Sequence, residues 1–215
     1  MANLTYTFSK NLGLFISKAY FRLKLIDKHN VPSDGAVLLV TNHQSYMDPL
    51  FMGSGIKRAC HFMARESLFR NKFFGRYIRK INAFPVKRDS GDVKAIKEII
   101  KRLNDGNMVN IFPEGTRTLT GKIKEFKSGL ELITRRSGAT LVPVLIEGAY
   151  EAWPKKQLLP WPKKVYVQYA EPITPEQLKN MGKNELAPLL TKTLRDMQTE
   201  LRTKIGKEPY DYSHE

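Results

Sequence analysis

Apolar positions recur along this chain with two different periods, and the alternation between them predicts its elements. AVLLV (36–40) is an unbroken aliphatic run of strand length, the pattern of a strand buried on both faces. CHFMA (60–64), MVNIF (108–112) and ATLVPVLIEG (139–148) read the same way, AFPV (83–86) as a short extended piece, and KVYVQYA (164–170) alternates as a last strand. Between them the spacing turns helical: PLFMGSGI with Pro49 in its first turn, SLFRNKFFGRYIRKI, SGDVKAIKEIIKRLNDG opened near Ser90 or Asp92 and closed by Gly106, KEFKSGLELITRRSG, and NELAPLLTKTLRDMQTELRTKI despite Pro188 near its start. The first segment, TYTFSKNLGLFISKAYFRLKLIDKH, reads as one amphipathic helix. Phe8, Leu12, Phe15, Ala19, Leu23 and Ile26 form its stripe with Tyr20 beside them, and Lys10, Lys18, Arg22 and Lys24 supply charge. The pattern predicts an α/β fold: a mixed, mainly parallel central sheet flanked by helices. Residues 1–30 would form an amphipathic helix that either packs on the core or contacts a membrane, and residues 31–215 a single domain.

Charge narrows the partners. Thirty-six Lys and Arg against 21 Asp and Glu give a net +15 over 215 residues. A chain this basic attracts polyanions: an anionic membrane, nucleic acid, or acidic and phosphorylated partners. The basic residues are interleaved with apolar helical stripes and no nucleic-acid motif is present, so a membrane surface is favoured over nucleic acid. One cysteine, Cys60, forms no internal disulfide and points to a reducing compartment. No run reaches the ~20 apolar residues that span a bilayer, and LGLFI is too short for a signal-peptide core. The expected location is the cytoplasmic face of the cell membrane, with the protein peripheral or monotopic.

Three conspicuously polar stretches follow predicted strands, where active sites of parallel α/β sheets gather. TNHQSYMD (41–48) follows AVLLV. His43 and Asp48 would lie about 140° apart on a regular helix, but Pro49 disfavours helix at Asp48. Asp48 is therefore expected as the N-cap of the next helix, with 43–47 looping back so that the carboxylate reaches the imidazole. The spacing alone also fits a plain cap beside a loop histidine. No serine or cysteine is paired with His43 as a nucleophile, so a histidine base would deprotonate a substrate hydroxyl. FPEGTR (112–117) follows MVNIF. Gly115 permits a tight turn, and Arg117 offers a planar fork for phosphate; a turn closed by a Glu114–Arg117 ion pair is the alternative. Lys87 and Arg88, after AFPV, add two cations or simply a solvated loop.

Together these stretches resemble the motif blocks of the glycerolipid acyltransferase family. NHQSYMD is similar to its NHxxxxD block, FPVKRD to its second, FPEGTR to its third and LVPVLIEG to its fourth, in family order, over residues 36 to 148. Thr118 replaces a common serine, and Asn82 stands where a glycine is common. The resemblance is closest to the branch that acylates lysophosphatidate. It implies transfer of a fatty acyl group from acyl-CoA or acyl carrier protein to the sn-2 hydroxyl of lysophosphatidic acid, giving phosphatidic acid. His43 would be the base and Asp48 its partner. Arg88 and Arg117 would grip the acceptor phosphate, Glu114, Gly115 and Thr116 would shape the substrate-binding turn, and Pro143 would pack the site wall. Lys87 is added from charge and position. No metal and no cofactor beyond the acyl donor is implied. The same blocks are compatible with glycerol 3-phosphate or another lysophospholipid as acceptor. A non-catalytic basic membrane- or nucleic-acid-binding protein is the other alternative, which the intact His43, Asp48, Glu114 and Arg117 oppose.

Overall fold

The computed structural model describes residues 4–86, 93–127 and 129–213. Among them the chain runs α1 (Leu4–Phe21), β1 (Lys24–Ile26), β2 (Val37–Thr41), α2 (Asp48–Ser54), β3 (Cys60–Arg65), α3 (Lys72–Lys80), β4 (Ala83–Val86), α4 (Val93–Asn104), β5 (Met108–Ile111), α5 (Gly129–Ser137), β6 (Thr140–Glu147), α6 (Ala149–Ala152), β7 (Tyr166–Tyr169), α7 (Pro175–Lys179) and α8 (Leu186–Lys204). The strands form a seven-stranded sheet in the order β1-β7-β6-β2-β5-β3-β4. Only β6 and β7 run antiparallel; the other neighbours are parallel, so the sheet is mixed and mainly parallel.

The aliphatic run of β2 is central because it can be buried on both faces. It pairs with β5 (Val37↔Met108) on one side and β6 (Val37↔Thr140) on the other, and its five residues are all buried. Side chains alternate across a strand. Leu38 and Val40 join Ile99, Leu103, Leu130 and Leu194 in one hydrophobic layer. Val37 and Leu39 join Phe21, Phe51 and Met52 in the other. The parallel strands thus point their carboxyl ends to one edge, where the polar stretches emerge.

Several elements depart from the sequence expectation. The first helix stops at Phe21, and Arg22 takes a left-handed φ of 48°. Lys24–Ile26 then pair in parallel with Tyr166–Gln168 as an edge strand. Leu23 and Ile26 therefore belong to the sheet side, not to a helical stripe; over so few residues, periods of 2 and 3.6 cannot be told apart. Residues 66–80 divide at Asn71, whose side chain accepts the N–H groups of Phe73 and Phe74 and starts α3 anew after a 3-10 turn. Ser90 and Asp92, the expected start of the next helix, lie outside the described residues. Asn82, at the family's glycine position, sits at φ 66°, a left-handed conformation that asparagine tolerates. Pro188 falls in the first turn of α8, where the missing N–H has no helical partner in any case.

Candidate active site

β2 delivers the first group. Its last residue, Thr41, donates to the Asn110 side-chain oxygen on β5 (2.6 Å). Asn42 pairs its amide with the Ile146 backbone on β6, donating at 2.9 Å and accepting at 2.7 Å. The loop bearing His43 therefore leaves the sheet from a fixed point. His43 Nδ1 lies 2.8 Å from Asp48 Oδ2. The same oxygen accepts the backbone N–H groups of Gln44 (2.6 Å) and Ser45 (2.8 Å). Asp48 is fully buried, and it is the first residue of α2 rather than its N-cap, which is Met47. Its carboxylate closes the loop behind it instead of capping its own helix. The carboxylate at Nδ1 orients the ring and leaves Nε2 without a hydrogen-bond partner among the described residues. The ring stacks on Phe112 at 4.0 Å between centroids, and the Ser45 hydroxyl donates to the Trp153 carbonyl, away from the imidazole.

β5 delivers the second group. Gly115 takes φ 69°, and the turn it allows points Glu114 inward. Glu114 Oε1 accepts the His43 N–H at 2.7 Å and Oε2 the Lys124 N–H at 3.2 Å, while the Thr118 N–H donates to the His43 carbonyl at 2.8 Å. The two motif stretches are thus sewn together through backbone. Burial raises the Glu114 carboxyl to about 7, against the opposing pull of the two N–H donors. Glu114 does not pair with Arg117. The Arg117 guanidinium lies over the Tyr46 ring, 3.3 Å from its centroid, and Nη1 is buried without a hydrogen-bond partner among the described residues. A cation held by stacking and lacking a carboxylate keeps its fork available to an anion. Thr116 sits half-buried on the same turn.

The family model described as Acyltransferase matches residues 22–147, from the edge strand to the end of β6. The chain belongs to this acyltransferase family. It is 31% identical over 203 residues to the 1-acyl-sn-glycerol-3-phosphate acyltransferase of Bacillus subtilis, covering 94% of this chain and 99% of that one. It is 30% identical over 152 residues to the protein of the same name from Streptococcus pneumoniae, covering 69% of this chain and 54% of that one. Among solved structures, it resembles the 1-acyl-sn-glycerophosphate (LPA) acyltransferase PlsC of Thermotoga maritima. The TM-score is 0.80 at 29% identity, over 92% of this chain and 79% of that chain.

In this acyltransferase, then, His43, Asp48, Glu114, Gly115, Thr116 and Arg117 come together at one edge of the sheet. Lys87 and Arg88 lie outside the described residues. Pro143 pairs in register with Val40 inside the sheet, two residues behind Asn42. Two residues near the site went unrecognised in the sequence. Arg65 ends β3 in register with Val86, the residue before Lys87, and so stands on the same edge; a cation directly after CHFMA was the available signal. Gln44 donates to the Gly121 carbonyl (3.3 Å) and to Glu147 (3.4 Å), and its side-chain oxygen accepts the Tyr150 N–H (3.1 Å). Glu147 is fully buried and in turn binds Gln198 and Arg202 of α8. The residue next to the histidine is therefore tied to the C-terminal helix, a contact with no local sequence signal. Beside the site lies a mostly apolar cavity of about 310 Å³ between α1, α2, β3 and α3, lined by Tyr46, Pro49, Leu50, Gly53, Phe62 and Ile78 among others.

Proposed function

We propose that this acyltransferase moves a fatty acyl group from a thioester, on coenzyme A or acyl carrier protein, to the sn-2 hydroxyl of lysophosphatidic acid. The observation that carries this reading is the joint placement of an Asp48-oriented His43 and an Arg117 guanidinium that no carboxylate of the described residues pairs with. The names of the Bacillus, Streptococcus and Thermotoga relatives support the acceptor. His43 Nε2 takes the hydroxyl proton as the oxygen attacks the thioester carbonyl. Asp48 stabilises the imidazolium that forms. The tetrahedral intermediate then expels the thiolate, which the imidazolium protonates, so an ester and a free thiol leave and the base is restored. Arg117, with Arg65 at the carboxyl end of β3, supplies positive charge for the acceptor phosphate, and Lys87 and Arg88 are assigned to it from the sequence alone. The apolar cavity beside Tyr46 and Pro49 receives an acyl chain.

The acceptor and the product are both bilayer lipids, and α1 suits a bilayer. No helix of the described residues is long and apolar enough to cross a membrane. Helix α1 instead buries a narrow face of Tyr6, Gly13, Ser17 and Phe21 against the domain. Gly13 permits this close seat, since a side chain there would meet Leu50 Cδ1 at 2.2 Å. The ridge of Leu4, Phe8, Leu12, Ile16 and Tyr20, with Phe15 beside it, is exposed. A helix that turns its aromatic face outward beside Lys18 and Arg22 is built for an anionic lipid interface rather than for a core.

The test is thiol release from a long-chain acyl thioester, with and without lysophosphatidate in mixed micelles, for the parent and His43→Ala. Release that requires both lysophosphatidate and His43 supports the reading. Release that survives His43→Ala removes the base, and release indifferent to lysophosphatidate removes the acceptor.

A further inference from the structure

The stretch KKQLLPWPKK (155–164) lies between α6 and β7 and belongs to none of the motif blocks. It carries four lysines and no acidic residue. Leu158, Leu159 and Trp161 are 86%, 70% and 60% exposed, among the most exposed large apolar side chains of the molecule. The backbone that presents them is nevertheless held firmly. Trp153 Nε1 donates to the Gln157 carbonyl at 2.9 Å, and the Trp161 N–H donates to the Ala152 carbonyl at 2.8 Å. From α1, the Tyr20 hydroxyl donates to the Pro160 carbonyl at 3.0 Å, and Arg22, just past the helix end, donates to the Pro162 carbonyl at 2.9 Å. A loop pinned at both ends with its three largest apolar groups outward is a presentation, not a collapsed turn.

We infer that the 157–162 loop is a second membrane-insertion point, whose partner is an anionic phospholipid bilayer. Three observations select that partner. The loop is fastened to α1 at Tyr20, which is itself one of the exposed apolar side chains of the helix with Leu4, Phe8, Leu12, Phe15 and Ile16, so the loop adjoins the end of that stripe. Lysine pairs flank the apolar tip on both sides, 155–156 and 163–164, with the sign that an anionic leaflet attracts. The tip itself has two leucines for the acyl region and a tryptophan for the headgroup boundary, where indole rings concentrate. Two attachment points on one face hold the protein in a fixed tilt, which a single helix free to roll does not. The loop is rooted at Trp153, whose carbonyl accepts from Ser45 and whose ring lies 5.7 Å from Tyr46, so the surface so held is next to the site.

The inference rests on the membrane reading of α1, and the experiment separates the two. Cys60 is fully buried, so a Leu159→Cys variant can be labelled selectively with an environment-sensitive fluorophore and mixed with phosphatidylglycerol/phosphatidylcholine vesicles. Insertion predicts a blue-shifted label that is quenched by nitroxides carried on the lipid acyl chains. Vesicle sedimentation of Leu158→Ser/Leu159→Ser/Trp161→Ser should show partitioning weaker by roughly tenfold or more. The same variant should retain its thiol release on micellar acceptor, since these residues lie outside the catalytic machinery. If the unlabelled parent sediments with vesicles while the label stays water-like, or the triple variant partitions as the parent does, the loop is overturned and α1 stands. If the parent ignores anionic vesicles at low salt, both fall. If the label shifts without lipid as protein concentration rises, a second copy covers the loop and the inference is likewise overturned.

Discussion

Asp48 Oδ2 stands 2.8 Å from His43 Nδ1 and accepts the Gln44 and Ser45 N–H groups as well. One buried oxygen thus sets both the ring and the loop that carries it. Asp48→Asn puts a neutral amide where an acceptor-only carboxylate holds the imidazole. The expected result is a fall in kcat of about 10²–10⁴-fold. A stability loss of about 1.5–3 kcal/mol should accompany it, from weakened charge-assisted hydrogen bonds. Single-turnover thiol release and urea unfolding measure the two effects; undiminished turnover would detach Asp48 from the base.

Arg117 is positioned by the Tyr46 ring rather than by a carboxylate. Lysine keeps the charge but loses the fork and the stacking. Arg117→Lys should therefore raise the KM for lysophosphatidate roughly ten- to hundredfold, as for a lost hydrogen bond to a charged group, with a smaller change in kcat. Initial rates across acceptor concentrations decide it. An unchanged acceptor KM would take the phosphate away from Arg117.

Burial raises the Glu114 carboxyl from its ordinary 4.5 to about 7. A raised carboxyl favours the folded state in its protonated form. That contribution is complete below the unfolded value and is lost as pH rises through the folded one. Between those two values the folded chain keeps a proton that the unfolded chain has released, so stability falls with rising pH, by on the order of 3 kcal/mol in all. Glu114→Gln should abolish this slope. It should also lower stability throughout, because its NH₂ faces an N–H donor that the carboxylate accepted. Urea unfolding of both proteins at about pH 5 and about pH 8 reads the difference, and parallel pH dependences would contradict the assignment.

Glu147 is fully buried and pairs with the nearly buried Arg202, with Lys207 at 3.5 Å. Removing one partner of a buried pair costs about 3–5 kcal/mol when the other charge is stranded. Here Glu151 stays within 3.5 Å of Arg202 and 2.8 Å of Lys207, so the cost should fall at or below the low end of that range. Glu147→Gln should lower the Tm accordingly, and Glu147→Gln/Arg202→Met should recover part of the loss. A double variant no more stable than the single one would mean that the cost lies in the Gln44 and Gln198 hydrogen bonds instead.

Much of this was legible along the chain. Continuous aliphatic runs such as AVLLV and MVNIF can be satisfied only inside a sheet, so β2 and β5 fall where the pattern puts them. The polar stretches after them then emerge at one edge. Departures cluster where local signals conflict or run short. Lys24–Ile26 is too brief for its period to declare it a strand. Asp48 is one position inside its helix because the pull on its carboxylate comes from Gln44 and Ser45, not from the helix ahead.

The sequence by itself determined the strand and helix alternation, the basic surface and the residue types of the site, because these follow from local periodicity, charge and chemical identity. Tertiary structure alone decided which partner each of those residues takes. Glu114 goes to the His43 backbone rather than to Arg117, Arg117 to Tyr46, and Gln44 through Glu147 to a helix more than a hundred residues downstream. It also decided that the aromatic stripe of α1 faces outward, with Leu158, Leu159 and Trp161 beside its end. The physical reason is that burial and hydrogen bonding are properties of contacts between distant segments. Local spacing can propose two faces for a helix, but only the surface it packs against selects which one is covered.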